Sequence, residues 1–315
     1  MPPLAQALKL NASFAHRHPN LAPTALFVGG TSGIGQALAQ RLAHYTHGKA
    51  RILLVGRNAD AGRATIRSLR GSEPPHSQPK HEFIPCDATL MRNVRQTTDA
   101  LLARKTTDIP KLNFLVLSPG FFSIFASRAE TPEGIDTKLA LLYYARWLFT
   151  LELLPLLRNA AAAGEPAHVY SVLGAGTGST VDFDDLGLKT GYNALKAATV
   201  AASYTDLAMQ KFAQENPDVQ FSHAFPGLVR TPMMLPKHPL LKPFGPLMSL
   251  LSLPVTVPPE TCAEYHLSAL LAEPDATTGN FTRRGSKGDD IGYVPAPGGD
   301  VEKLWKHTVA EVLHV

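Results

Sequence analysis

One short run constrains this chain more than any other: Val28-Gly29-Gly30-Thr31-Ser32-Gly33-Ile34-Gly35. It follows a β-prone stretch, 25–28, and opens an amphipathic stretch, 33–45, with Ile34, Ala37, Leu38 and Leu42 on one face. Gly29 allows a tight turn, Gly33 lets backbone approach a pyrophosphate, and Gly35 lets helix pack on strand. The first turn of the helix then offers free N–H groups and a positive dipole end to phosphates. A flexible turn is the ordinary alternative for a glycine-rich run. The strand–turn–helix context favours a dinucleotide site built from Gly29, Thr31, Ser32, Gly33, Ile34 and Gly35.

The rest of the chain repeats the alternation. Strands are expected at 51–55, 83–85, 113–117, 167–171, 220–224 and near 280–282. Asn58 is expected to cap the helix after the second strand, and a long helix is expected over 133–163, interrupted at Pro155. The Pro- and Ser-rich stretch 71–80 predicts a surface loop. The pattern predicts an α/β fold: a single Rossmann-type, doubly wound parallel sheet of about seven strands with helices on both faces. Residues 1–23 read as an N-terminal extension and 24–315 as a single domain.

Composition narrows the class. With 44% hydrophobic and 18% charged residues, a large core forms and a disordered polyelectrolyte is excluded. The net charge of +4 is mild. Arg41, Lys49, Arg51, Arg57, Arg63, Arg67 and Arg70 oppose only Asp60, which reads either as a solvated face or as a phosphate-binding corner. No aromatic-studded basic stripe marks a nucleic-acid surface. Two cysteines, Cys86 and Cys262, suit a reducing compartment. The N-terminus lacks the apolar core of a signal peptide, and no stretch is expected to reach bilayer-spanning length. A cytoplasmic protein without an integral membrane segment or a metal site is the expectation.

Two further motifs carry chemistry. The second strand ends Val55-Gly56-Arg57, with no acid for the ribose hydroxyls of NAD, so Arg57 can pair with the 2′-phosphate of NADP(H). Its plain alternative is an exposed arginine. Tyr192-x-x-x-Lys196 places both side chains on one face if the segment is helical. A nearby ammonium would then lower the tyrosine pKa, making Tyr192 a general acid/base. Alone, that spacing is common on exposed helices.

The order of these motifs resembles the short-chain dehydrogenase/reductase family. The glycine turn, Ser171 at the fifth strand's end, Tyr192-x-x-x-Lys196 and Pro226-Gly227-Leu228-Val229-Arg230-Thr231 together cover residue 25 to about residue 231. Asp184-Asp185-Leu186-Gly187-Leu188-Lys189 and the N-terminal extension resemble a fungal subgroup associated with secondary-metabolite pathways. The resemblance implies that Ser171 donates a hydrogen bond to the substrate oxygen. It implies that Tyr192 moves the proton and that Lys196 holds the nicotinamide ribose and tunes Tyr192. Asp87 would contact the adenine. Gly120, Pro226 and Gly227 would line the cofactor site, and Thr231 would touch the cofactor amide or phosphate. The plain alternatives are a turn serine for Ser171 and a helix N-cap for Asp87.

The chain departs from the family pattern in four places. Val28 replaces a threonine, and Leu117-Ser118-Pro119-Gly120 lacks the asparagine that braces the sheet. Leu142 stands where the asparagine of the catalytic tetrad falls, and the gap from Ser171 to Tyr192 is wide. These put the proton relay in question and leave cofactor binding intact. The leading expectation is NADP(H)-dependent reduction of a ketone on an apolar small molecule. The alternatives are a cofactor-binding sensor or partner protein without turnover, and a non-redox cyclase or epimerase. The segment 232–260, with Met233, Leu240, Phe244 and Met248, is expected to form an apolar substrate lid. Relatives that pair use the long helices after the fourth strand. An insertion at 177–190 could cover that surface, so both a homodimer and a monomer remain open.

Overall fold

A computed structural model describes residues 3–69, 80–121, 127–231, 255–273 and 279–313. Seven strands form one all-parallel sheet in the order β3-β2-β1-β4-β5-β6-β7. They are β1 (Thr24–Val28), β2 (Arg51–Gly56), β3 (Glu82–Pro85), β4 (Phe114–Leu117), β5 (His168–Val172), β6 (Gln220–Ala224) and β7 (Phe281–Arg284). Each expected strand is present, with ends shifted by a residue or two. β1, β4 and β5 are buried on both faces; β1 and β4 accordingly read as near-continuous apolar runs, while β5 also buries His168 and Ser171.

Helices cover both faces. Leu4–Arg17 is α1, Gly33–Tyr45 α2, Ala59–Leu69 α3 and Met91–Leu102 α4. Asn58 accepts the Ala61 amide at 3.0 Å and starts α3 as expected. The N-terminal extension is not loose. Phe14 and Ala7 of α1 are buried, and Asn11 donates to the buried Glu264 carboxylate at 2.8 Å. Tyr45 and Arg41 of α2 meet the same carboxylate at 3.0 Å each, which ties three segments together.

The long helix α5 spans Thr137–Ala162, with a π-helical segment at Ala140–Tyr144. Pro155 does not interrupt it, because its ring is exposed and the carbonyl it leaves unpaired can reach water. α5 also corrects the expectation that no stretch reaches spanning length. It has the length and apolarity, and most of it is buried inside the fold, as the core helix of a packed sheet must be. Ala194–Glu215 is α6, Pro259–Leu270 α7 and Gly298–Leu313 α8. Trp305 of α8 packs edge-on against Trp147 of α5, and Leu186 and Leu188 of the 177–190 insertion join the same core. The expected lid lies outside the described residues from 232 to 254. Beyond it, Val257 pairs with Val229, and the chain enters α7 at Pro259.

Candidate active site

The glycine turn opens a cleft at the carboxyl ends of β1, β2 and β4, where the sheet order reverses and α/β proteins bind ligands. Gly29, Thr31, Ser32, Gly33, Ile34, Gly35, Arg57, Asp87, Gly120 and Thr231 all line it. Gly29 holds φ +87°, and a Cβ there would lie 2.8 Å from the Pro119 nitrogen. A Cβ on Gly35 would lie 2.7 Å from the Gly29 carbonyl oxygen, so only glycine lets α2 seat on β1. Thr231 Oγ1 is buried on the wall of this cleft with no hydrogen-bond partner among the described residues. An orphaned hydroxyl beside a glycine cradle and a helix N-terminus fits a dinucleotide.

The expected basic corner disperses. Arg51 pairs with Asp108 at 2.9 Å, Arg41 with Glu264, and Lys49 with the Pro19 carbonyl at 2.9 Å. Arg57 keeps an exposed position on the cleft rim. Arg70 lies outside the described residues. Asp87 accepts from the Thr89 amide and hydroxyl at 3.1 and 2.8 Å, capping the turn before α4 rather than the helix itself. The α4 amides of Met91 and Arg92 go to Glu133 instead, at 2.7 and 3.1 Å. Pro226 and Gly227 follow β6 but are not among the residues lining the cleft. Gly227, at φ +73°, packs against Ser286.

The other half of the expected site is arranged differently. Ser171 lies in β5 opposite Leu117, 0% exposed, and its Oγ accepts from Arg146 Nη1 at 2.8 Å. Tyr192 is not on a helix. α6 begins at Ala194, because the extended Asn193 caps it by accepting the Lys196 amide at 2.7 Å. The shared-face argument for Tyr192 and Lys196 therefore fails. Burial, and then the Asp136 carboxylate to which its hydroxyl donates, raise the Tyr192 pKa, the opposite of the expected lowering. Asp136 is itself buried and caps α5 through the Lys138 and Leu139 amides at 3.1 and 3.0 Å. Lys196 is half-buried and near enough to Asp185 for its charge to act on that carboxylate. Among the described residues no hydrogen bond joins Ser171, Tyr192 and Lys196 to one another.

Two residues escaped the sequence reading. Arg146 is 2% exposed and donates to the Leu117 carbonyl at 2.7 Å and the Pro119 carbonyl at 2.6 Å, as well as to Ser171. It does the bracing for which the family's asparagine is missing. A lone cation in the apolar run Ala145-Arg146-Trp147-Leu148-Phe149 was the available signal. Asp136 carried no signal, because its partnership with Tyr192 depends on the path of the chain between β5 and α6. Leu142 is 5% exposed, within the π-helical segment.

The short chain dehydrogenase family profile matches residues 23–239, and the chain belongs to that family, whose members use NAD(P)H. It is 39% identical over 213 residues to oxidoreductase AN1596 of Emericella nidulans, covering 68% of this chain and 60% of that one. It is 35% identical over 234 residues to oxidoreductase andH of Emericella variicolor, covering 74% and 65%. A polyprenol dehydrogenase of Mus musculus is 31% identical over 242 residues, covering 72% and 67%. The chain thus spans 60 to 65% of the length of the two fungal relatives. Among solved structures, the Pseudomonas aeruginosa RhlG/NADP complex matches with a TM-score of 0.60 at 22% identity, covering 84% of this chain and 95% of that one. NADPH-bound carbonyl reductase from chicken fatty liver matches at 0.62 and 15% identity, covering 87% and 99%. At these identities the structural matches speak for the fold.

Proposed function

We propose that this chain is an NADP(H)-dependent reductase of a ketone on an apolar small molecule, or the dehydrogenase of the corresponding alcohol. The observation that carries the reading is Arg57 on the rim of the cleft, at the end of a strand that closes Val55-Gly56 without a carboxylate. A guanidinium there meets a 2′-phosphate where an acid would repel it. Bound in the cleft, the cofactor supplies the hydride. The glycine turn and the α2 N-terminus hold its pyrophosphate, Asp87 its adenine side, and Thr231 a polar group near Gly33. Tyr192, kept protonated by burial and Asp136, would turn its one hydroxyl proton from Asp136 to the substrate oxygen, and Ser171 would donate a hydrogen bond to it. Lys196 would reach the nicotinamide ribose, with Pro226 and Gly227 at its edge. An apolar substrate is supported by the methionine- and leucine-rich segment 232–251 and by the relative named for a polyprenol. A place in fungal secondary metabolism is our reading of the Asp184–Lys189 segment, and the two Emericella relatives, both oxidoreductases, are fungal. A cytoplasmic protein remains our reading. We read it as monomeric too, since α8 and the 177–190 insertion cover the outer face of α5 and α6.

One observation favours cofactor binding without turnover: Ser171 is fully buried. NADPH fluorescence titration, run beside NADPH consumption with a panel of apolar ketones, separates the readings. Binding with consumption is expected. Binding without consumption would favour the sensor, and product formation without net consumption a cyclase or epimerase. Absence of NADPH binding would sink all three.

A further inference from the structure

We propose that Arg146 is a positioning residue that holds Ser171 and the cofactor-cleft loop 117–120 in register from one buried guanidinium. Leu117 and Ser171 are direct partners at the ends of β4 and β5, and Ser118, Pro119 and Gly120 line the cleft. Arg146 reaches them from α5. Its Nη1 donates to the Leu117 carbonyl at 2.7 Å and to Ser171 Oγ at 2.8 Å, and its Nη2 to the Pro119 carbonyl at 2.6 Å. A π turn holds one residue more than an α turn, which rotates everything after it by about 100°. Arg146 lies two residues past such a segment and faces the strand ends.

Among the described residues no carboxylate pairs with this cation, and its Nε is buried without a partner. A charge so placed is costly to bury, and an apolar side chain of similar volume would cost less. Burial pushes its pKa down to about 9, which leaves it a cation at neutral pH. The geometry gives the charge a use. A guanidinium cannot accept a hydrogen bond, so Ser171 must accept from it, and the serine proton is free to donate elsewhere. A cation against the serine oxygen also strengthens that donation toward a carbonyl oxygen gaining negative charge. Arg146 therefore acts through Ser171 on the substrate side and through loop 117–120 on the cofactor side.

The serine half of this inference rests on the proposed carbonyl reduction, and the loop half does not. The test measures NADPH affinity and steady-state turnover in Arg146→Met, Arg146→Lys, Ser171→Ala and the Arg146→Met/Ser171→Ala double variant. Arg146→Met should lose about 100-fold in kcat, the scale of losing one preorganised donor, with KM changed less than about threefold. In the Ser171→Ala background the same change should cost less than about threefold more, since its path runs through Ser171. NADPH should bind about tenfold more weakly to Arg146→Met and unchanged to Ser171→Ala, on the scale of a lost charged contact. Lysine keeps the charge but cannot bridge three acceptors in a fork. Arg146→Lys should therefore bind NADPH more weakly than wild type while recovering part of kcat, which a purely structural role would not produce. Fully multiplicative kcat losses would overturn the link to Ser171. Wild-type NADPH affinity in Arg146→Lys and in every folded Arg146→Met preparation would overturn the link to the loop. If the wild type turns over no ketone, carbonyl reduction fails by itself, and the NADPH affinities still decide whether Arg146 holds the loop.

Discussion

The two halves of the candidate site sit at the same end of one sheet and are built from different material. The cofactor cleft is made mostly of backbone from contiguous residues: a glycine turn at β1, the first turn of α2 and the strand end at Gly56. The other half brings together side chains from distant segments: Ser171 from β5, Arg146 from α5, Asp136 from the α5 cap and Tyr192 from the loop before α6. Backbone sites need particular residues only where a Cβ would intrude, as at Gly35 against the Gly29 carbonyl. Side-chain sites need partners, and the partners here are charged and buried. A carboxylate faces the tyrosine, and a buried guanidinium stands in for a bracing asparagine. The cleft is thus a backbone cradle that suits phosphates, and the other half is held together by buried polar side chains.

The sharpest way to break that division is Tyr192→Phe. It should leave NADPH affinity unchanged and lower kcat for any ketone the wild type reduces by roughly 100-fold or more, the usual scale of a lost general acid. Equal losses in affinity and turnover would mean the halves are not separable. Arg57→Asp attacks the cleft instead. Losing a charge-assisted contact should weaken NADPH binding by about 1.5–3 kcal/mol while NAD binding holds or improves. Titration of both cofactors checks this, and unchanged affinities for both would remove Arg57 from 2′-phosphate recognition.

Thr231→Val is subtler. Its hydroxyl has no partner among the described residues, so the isosteric change should leave the melting temperature intact. If the cofactor supplies the partner, NADPH affinity should fall by about 1 kcal/mol. The smallest expected effect is a displaced pH limb. Burial and the Asp136 carboxylate raise the Tyr192 pKa, and the proton-donating form is lost only as pH rises through that value. The alkaline limb of ketone reduction should therefore lie above the ordinary tyrosine value of about 10. Asp136→Asn removes one of the two causes and should bring the limb down with little change in the plateau rate. A limb that does not move would separate Asp136 from the proton step.

The order of the strands along the chain, the parallel α/β architecture and the cradle residues were all legible in the sequence. Each depends on local patterning: apolar runs of strand length, a helical stripe, glycines at a strand–helix junction. Tyr192 misled for a local reason as well. Asn193 takes the cap, which starts α6 two residues after Tyr192, so the four-residue spacing to Lys196 never became one helical face.

The sequence by itself determined the sheet, the cofactor cleft and the place of Arg57 beside it, because those depend on residues close together in the chain and on backbone that glycine alone permits. Only the tertiary structure decided that Arg146 reaches Ser171 and loop 117–120, that Asp136 meets Tyr192, and that α1 and α8 complete the core. A buried polar or charged group must find its partner wherever packing places one, and here the partners lie 25 residues away or more: 25 from Arg146 to Ser171, and, by subtraction of their numbers, 56 from Asp136 to Tyr192.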